Sequence, residues 1–290
     1  MEKKFKYGQQ VLVLLLLCFG MVLLGSAGML GIQMANDTPI SPVGLLWMQA
    51  ISQILMFVLP LIFLAMIYKI NVKEWWQLDF SGSKWGKAGI GVIILIVLLP
   101  IIEFLTVWND GWHLGDGLKS FETMFRNITE QQGELMRDLL AADTVGRLIL
   151  NLFVIALVPA VCEELFFRGG IQQLLTKWFK NGHVAIWVTA AVFSLFHGDI
   201  FAFIPRFALG VVLGYVFYYG GSMVINSTMH FVNNAIVVVV AYLYGQGIIA
   251  ISPEDQMFSF GPWNLVACTV AGIALLYTMF IMGNHKQKIE

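Results

Sequence analysis

The stretch RLILNLFVIALVPAVCEELFFRGG, residues 147–170, joins a long apolar run to three charged side chains. Residues 148–162 are almost entirely apolar, which is typical of a helix that spans a membrane. Glu163, Glu164 and Arg168 then follow within the same segment. A charged side chain within the hydrocarbon layer of a bilayer costs several kcal/mol, so charges at this position indicate a functional site.

The composition of the whole chain agrees with a membrane location. Of its 290 residues, 58% are hydrophobic and only 12% are charged, whereas soluble domains carry about a quarter charged residues. We therefore predict one integral membrane domain over residues 1–290. No basic block suggests a nucleic-acid partner. The three cysteines lack CxxC or paired spacing, which argues against a disulfide framework or a cysteine-ligated metal.

Apolar runs long enough to cross a bilayer recur along the chain, and they predict an all-α, polytopic membrane helix bundle with about eight transmembrane helices. The predicted spans are residues 11–35, 45–68, 88–108, 146–167, 183–198, 203–220, 224–245 and 263–283. Residues 1–28 also resemble a signal peptide, with a basic start and an apolar middle. Because the apolar run continues to residue 35, we favour a first transmembrane helix.

Lysine and arginine residues are distributed unevenly between the two sides of this bundle. Twelve of the 17 lie in the segments on the same side as the N-terminus, which predicts that both termini are cytoplasmic. The largest segment on the other side, residues 109–144, has apolar residues at roughly helical spacing. We predict that it forms a helix lying on the membrane surface.

The three charged residues of the opening stretch need different partners to neutralise them. Glu164 and Arg168 are four residues apart, so they can neutralise each other across one helical turn, which is a purely structural explanation for that pair. Glu163 lies about 100° around the helix from Glu164 and needs a different partner. Two histidines in later spans, His197 and His230, offer that partner.

These histidines belong to two short motifs. FSLFH ends at His197, and HFVNN runs from His230 to Asn234, so His230 and Asn234 share one helix face. Each histidine alone is more often a satisfied buried side chain than a catalyst. If the chain reverses between two helices at residues 181–182, Glu163 and His197 lie at similar depths in the membrane, within about 5 Å. They are therefore predicted to face each other.

Taken together, these motifs resemble the three signature motifs of the CAAX protease and bacteriocin-processing (CPBP, or Abi) family of intramembrane proteases. They are Glu163-Glu164-x-x-x-Arg168, Phe193-x-x-x-His197 and His230-x-x-x-Asn234. The resemblance covers a protease-like core of about residues 148–240. It implies peptide-bond hydrolysis within a helical bundle, with a membrane-associated peptide or protein as substrate and membrane lipids around it. A bacterial plasma membrane is the expected location.

The resemblance also implies catalytic roles. Glu163 with His197 would bind and deprotonate a water molecule, while His230 and Asn234 would stabilise the oxyanion. Glu164 and Arg168 would support structure or position the substrate. Glu163, His197 and His230 are also possible ligands of a divalent metal such as zinc, with water in the fourth position. The family has been described both as metal-dependent and as using glutamate without a metal, and we favour the latter.

Two other functions stay open at this stage. One is a non-catalytic binding or bacteriocin-immunity protein that keeps the same scaffold. The other is a proton-coupled transporter, for which buried acids and histidines are also expected. We detect no inverted repeat and no pair of interrupted helices that would favour a transporter.

Several further residues have simpler interpretations. Cys162 adjoins Glu163 and could act as a nucleophile, but a cysteine in an apolar helix is far more often a packing residue. Glu103, an acid in the third predicted span, either lines a substrate cavity or reaches water at the end of its helix. Asn226 is a candidate interhelical hydrogen bonder, and Gly210 and Gly214 form a GxxxG pattern typical of close helix packing. The predicted interfacial anchors are Trp75, Trp76, Trp85 and Trp108.

Overall fold

The structure, a computed structural model, describes residues 2–35, 40–258 and 261–283. Within these ranges the chain is helical and contains no strand, which confirms the predicted fold class. Ten helices are numbered here in chain order. They are α1 (Glu2–Ala35), α2 (Pro42–Tyr68), α3 (Val72–Trp75), α4 (Gly82–Asp110), α5 (Lys119–Leu140), α6 (Val145–Phe179), α7 (Gly182–Phe196), α8 (Phe203–Gly220), α9 (Met223–Gly245) and α10 (Pro262–Gly283).

Seven of the helices in the described part of the chain are long and apolar enough to span a membrane. The fifth predicted span, residues 183–198, is the shorter apolar helix α7, whose 15 residues are fewer than the roughly 20 of a typical crossing. It still leads from one end of the bundle to the other, because it begins beside Tyr218 near the start of α4 and is followed by the turn that Asn109 holds at the end of α4. α6 is correspondingly longer than predicted, because it continues past residue 167 to Phe179. The chain is therefore an integral membrane protein.

The glycine pair after Arg168 does not break α6. Residues Leu165–Gln172 adopt a π-helical stretch instead, and the helix continues on both sides. π-helical segments inside α-helices are rare and frequently mark functional sites. Gly170 also lets α6 approach its neighbours, since a Cβ there would lie 2.7 Å from Cδ2 of Leu61.

Close packing between α7 and α8 depends on the predicted glycine pattern. A Cβ on Gly210 would lie 3.1 Å from Cβ of Ala190, and one on Gly214 would lie 2.7 Å from Cγ2 of Ile186. The preceding turn is where the sequence places it, since the side chain of Asn181 accepts hydrogen bonds from the first backbone N–H groups of α7. The hairpin of α6 and α7 thus brings the first two motifs towards each other.

The helix predicted within residues 109–144 forms as α5, between the spans α4 and α6. It exposes apolar side chains such as Phe121, which is 57% exposed, and Leu135, which is 49% exposed. Arg137 of α5 forms an ion pair with Glu254 in the α9–α10 connection, with 2.6 Å between nitrogen and oxygen. This connection is also held by Glu103, whose carboxylate accepts backbone hydrogen bonds from residues 257 and 258.

Two of the twelve lysine and arginine residues that predict cytoplasmic termini, Lys286 and Lys288, lie outside the described residues.

Of the four predicted tryptophan anchors, Trp85 and Trp108 are about half exposed. Trp75 differs, because it is only 4% exposed and belongs to the main hydrophobic cluster of the protein. It therefore lies inside the protein rather than in the lipid interface.

Candidate active site

Glu164 is the centre of a fully buried polar network that joins α6 to α9. One carboxylate oxygen lies 2.9 Å from Nδ1 of His230 and 3.1 Å from a guanidinium nitrogen of Arg168. The other oxygen accepts a hydrogen bond of 3.1 Å from Nδ2 of Asn226. The side chains of Glu164 and Arg168 are both 0% exposed. The pairing of these two residues, predicted from their spacing, is present and extends to two residues more than 60 positions away.

Arg168 is held by more than its ion pair. Its Nη2 donates a hydrogen bond of 3.1 Å to the carbonyl oxygen of Gly210, and its guanidinium lies 4.9 Å from the ring centroid of Phe193. Arg168 therefore links α6 to both α7 and α8. A buried charge of this kind needs an opposite charge and hydrogen-bond partners, because removing one partner leaves it desolvated and unpaired.

Glu163 points to a different partner, as the helical spacing requires. Its carboxylate lies 3.9 Å from Nε2 of His230, an ion-pair distance that is too long for a hydrogen bond. The residue is 7% exposed. His230 therefore stands between the two glutamates, with Nδ1 directed to Glu164 and Nε2 towards Glu163.

His197 lies at the C-terminal end of α7, where its Nδ1 is 2.9 Å from the carbonyl oxygen of Phe193. A carbonyl only accepts, so Nδ1 carries the proton and Nε2 of a neutral ring keeps its lone pair. The ring of Phe193 packs edge-on against His197, at 4.8 Å between centroids, and against His230, at 6.2 Å. Phe193 thus sets the two imidazoles around one aromatic ring.

The asparagines of α9 differ in their surroundings. Asn226 is fully buried and, besides its bond to Glu164, donates to the carbonyl oxygen of Leu213 at 2.7 Å. It is the interhelical hydrogen bonder that the sequence suggested. Asn234, the last residue of the third motif, is half-buried and accepts a hydrogen bond of 3.2 Å from Asn233.

The segment after His197 is tied down by a residue that the sequence analysis missed. Asn109, at the end of α4, is 0% exposed, accepts a hydrogen bond from the backbone N–H of Ile204 and donates to the carbonyl oxygen of Ile200. Asp199 caps the same turn and pairs with Arg206 at 3.3 Å. Only the polarity of Asn109 at the end of an apolar run could have identified it.

Glu163, His197 and His230 are the possible ligands of a divalent metal. In the part of the chain that the structure describes, no three histidine, cysteine, aspartate or glutamate side chains are placed so that they could hold a metal ion. Nδ1 of His230 is occupied by Glu164, and Nε2 is 3.9 Å from Glu163. Metal dependence stays a prediction for experiment.

Comparison with known proteins agrees with the motifs. Residues 145–236 match a protein-family model described as Rce1-like: Type II CAAX prenyl endopeptidase Rce1-like. The matched segment begins with α6, ends within α9 and contains all seven motif residues. The match confirms the resemblance that the motifs indicated. No curated protein and no solved structure matches the chain. The protein is thus a polytopic membrane protein in which residues 145–236 are similar to a family of CAAX prenyl endopeptidases.

Proposed function

We propose that this chain is an intramembrane endopeptidase that hydrolyses a peptide bond of a membrane-associated protein or peptide. The observation that supports the proposal is the buried cluster of Glu163, Glu164 and His230 inside the segment that matches an endopeptidase family. Buried, paired acids and histidines within a membrane are costly and mark functional sites. The proposed reaction is direct attack of an activated water molecule on the scissile carbonyl carbon.

In this mechanism Glu163 and His197 bind and deprotonate the water. Glu163 takes one proton of the water, while Nε2 of His197 accepts a hydrogen bond from the other O–H, because the hydrogen bond from Nδ1 to Phe193 leaves its lone pair available. The water oxygen bonds to the carbonyl carbon, and the carbonyl becomes an oxyanion. Glu163 then passes the proton to the leaving nitrogen as the carbon–nitrogen bond breaks.

His230 and Asn234 are the proposed oxyanion donors. Since Nδ1–H of His230 is directed to Glu164, donation from Nε2 requires the doubly protonated ring. The carboxylate of Glu164 lies 2.9 Å from Nδ1 of His230, and that of Glu163 lies 3.9 Å from Nε2. In this proposal Glu164 positions His230, and Arg168 compensates the charge of Glu164.

The location proposed for the enzyme is a bacterial plasma membrane with both termini in the cytoplasm. The excess of lysine and arginine on the side of the N-terminus supports that orientation. A substrate that is itself anchored in the membrane would reach a buried site by diffusing in the bilayer. The description of the matched family suggests a prenyl-bearing or similarly lipidated substrate.

The test compares purified wild type with Glu163→Gln and His197→Ala on a library of fluorogenic peptides, with and without lipid anchors. Cys162→Ala is the matched control, because Cys162 adjoins Glu163 and is buried but has no role in the mechanism. We expect both site variants to lose at least about 100-fold in kcat, and the control to keep activity. Each reaction is repeated with a strong chelator and after zinc is restored.

Three outcomes would redirect the assignment. Loss of activity in Cys162→Ala alone would indicate a cysteine nucleophile, and chelator sensitivity reversed by zinc would indicate a metallopeptidase. If Glu163→Gln keeps its full effect in the cell while no peptide is cleaved, the chain acts by binding or immunity. Solute uptake that depends on a proton gradient would identify a transporter.

A further inference from the structure

A second polar site lies at the end of the bundle where α1 begins and α6 ends. A cavity of about 240 Å³ opens there, about two and a half helical turns beyond Arg168 along α6. Its polar and aromatic lining consists of Lys6, Tyr7, Gln10, Tyr68, Trp75 and Lys177. None of these residues takes part in the network around Glu164, so the cavity is separate from the candidate active site.

Two lysines give the cavity a positive charge. Neither Lys6 nor Lys177 forms an ion pair with any residue in the described ranges. Nζ of Lys177 lies 6.0 Å from the ring centroid of Tyr7, which keeps the ammonium group beside the cavity wall. Two cations that line one cavity without a counter-ion favour an anionic ligand.

Two buried polar atoms at the same cavity have no partner among the described residues. Gln10 and Trp75 are each 4% exposed, and neither Oε1 of Gln10 nor Nε1 of Trp75 forms a hydrogen bond. Buried polar atoms in proteins are nearly always paired. Because both atoms have almost no accessible surface, a ligand in the cavity would pair with them only after the two side chains turn towards it. The indole N–H offers a hydrogen bond to an anionic oxygen, and the amide oxygen requires a donor such as a hydroxyl group.

The position of the cavity indicates where that ligand comes from. It lies between the start of α1, the end of α2 at Tyr68 and the end of α6 at Lys177, which all meet at one end of the membrane-spanning bundle. This is the level of lipid headgroups, and basic pockets between transmembrane helices bind anionic headgroups.

We propose that this cavity binds the headgroup of an anionic phospholipid that carries a free hydroxyl group, the chemistry of phosphatidylglycerol. Lys6, Lys177 and the indole N–H of Trp75 hold the phosphate oxygens, and Oε1 of Gln10 accepts a hydrogen bond from a headgroup hydroxyl. A zwitterionic headgroup satisfies the cavity less well, because its own ammonium group opposes the two lysines.

The experiment titrates the full-length protein, purified in a neutral detergent, with short-chain phosphatidylglycerol and follows binding by native mass spectrometry. Phosphatidic acid, phosphatidylcholine and inorganic phosphate are titrated in parallel. We expect phosphatidylglycerol to bind most tightly. Lys6→Gln and Lys177→Gln should each weaken it about five-fold, the effect typical of one cation near an anionic membrane surface. Lys180→Gln makes the same charge change outside the cavity and should leave binding unchanged.

Gln10→Leu separates recognition of the hydroxyl from the effect of charge. It retains the lysines and the approximate side-chain volume, so it should abolish the preference for phosphatidylglycerol over phosphatidic acid without preventing folding. Equal binding of phosphatidylcholine would overturn the proposal, as would inorganic phosphate binding as tightly as the lipid, which would identify a soluble anion as the ligand. An equal loss in Lys180→Gln would show that only general surface charge matters.

Discussion

Glu164 and Arg168 form one ion pair, but their surroundings predict very different costs for losing either partner. Glu164→Gln removes the charge that compensates a guanidinium that is 0% exposed. Removing one member of a buried pair in this way costs about 3–5 kcal/mol of unfolding free energy. The remaining contacts of Arg168 are a neutral carbonyl and an aromatic ring, neither of which replaces a carboxylate.

Arg168→Met leaves a different situation. Glu164 keeps His230 at 2.9 Å and Asn226 at 3.1 Å, so two hydrogen-bond partners still face its carboxylate. The main loss is then the hydrogen bond to the carbonyl oxygen of Gly210, so we expect a cost of about 1–3 kcal/mol. The double variant Glu164→Gln/Arg168→Met removes both charges and should be more stable than Glu164→Gln alone.

The assay is equilibrium unfolding in mixed micelles, with peptidase activity measured on the same samples. Activity should stay low in the double variant even where stability returns, because His230 has lost the carboxylate that orients Nδ1. The reasoning is refuted if Arg168→Met destabilises the protein as much as Glu164→Gln does. Full activity in a well-folded Glu164→Gln would refute the positioning role of Glu164.

Three further predictions concern other parts of the molecule. Asn109→Ala should cost about 1–3 kcal/mol in unfolding assays and lower peptidase activity, since the turn after His197 loses two hydrogen bonds to a buried side chain. Gly214→Ala should destabilise by about 1–3 kcal/mol through its 2.7 Å approach to a neighbouring side chain, whereas Gly86→Ala, with no atom within 4 Å, should be neutral or slightly stabilising in the same denaturation assay. The pKa of Glu122 is lowered to about 2, mainly by a hydrogen bond from the backbone N–H of Leu114 and also by contacts with His113 and Arg126. Its contribution to local stability is present above the unfolded pKa of about 4.3 and lost as the pH falls towards 2, so tryptophan fluorescence should show an acid transition that is absent from Glu122→Gln.

The class of protein and the helical segments could be read from the sequence because both depend on local pattern. Hydropathy over about 20 residues identified the spans, and the helical period paired Glu164 with Arg168 and separated Glu163 from both. Asn181 and Gly182 marked the turn before α7, since a side-chain cap and the residue after it act within one turn. The length of α7 was the exception, because the same apolar pattern fits a full crossing and a shorter helix.

The partners within the site could not be read in this way. That Glu164 binds His230 and Asn226 depends on how α6 packs against α9, across more than 60 residues of chain. The tether from Asn109 to the turn after α7 depends likewise on the packing of α4. Each such contact is one of many that the same amphipathic pattern permits.

The sequence by itself determined that this chain crosses a membrane as a helical bundle and that six polar residues recur in a recognisable order. Only the tertiary structure decided which nitrogen of His230 faces which glutamate, and that Trp75 is buried beside a basic cavity rather than set in the lipid interface. The physical reason is that hydropathy and helical period depend only on residues that are close together in the sequence. Hydrogen bonding and burial depend instead on which helices meet and at what depth.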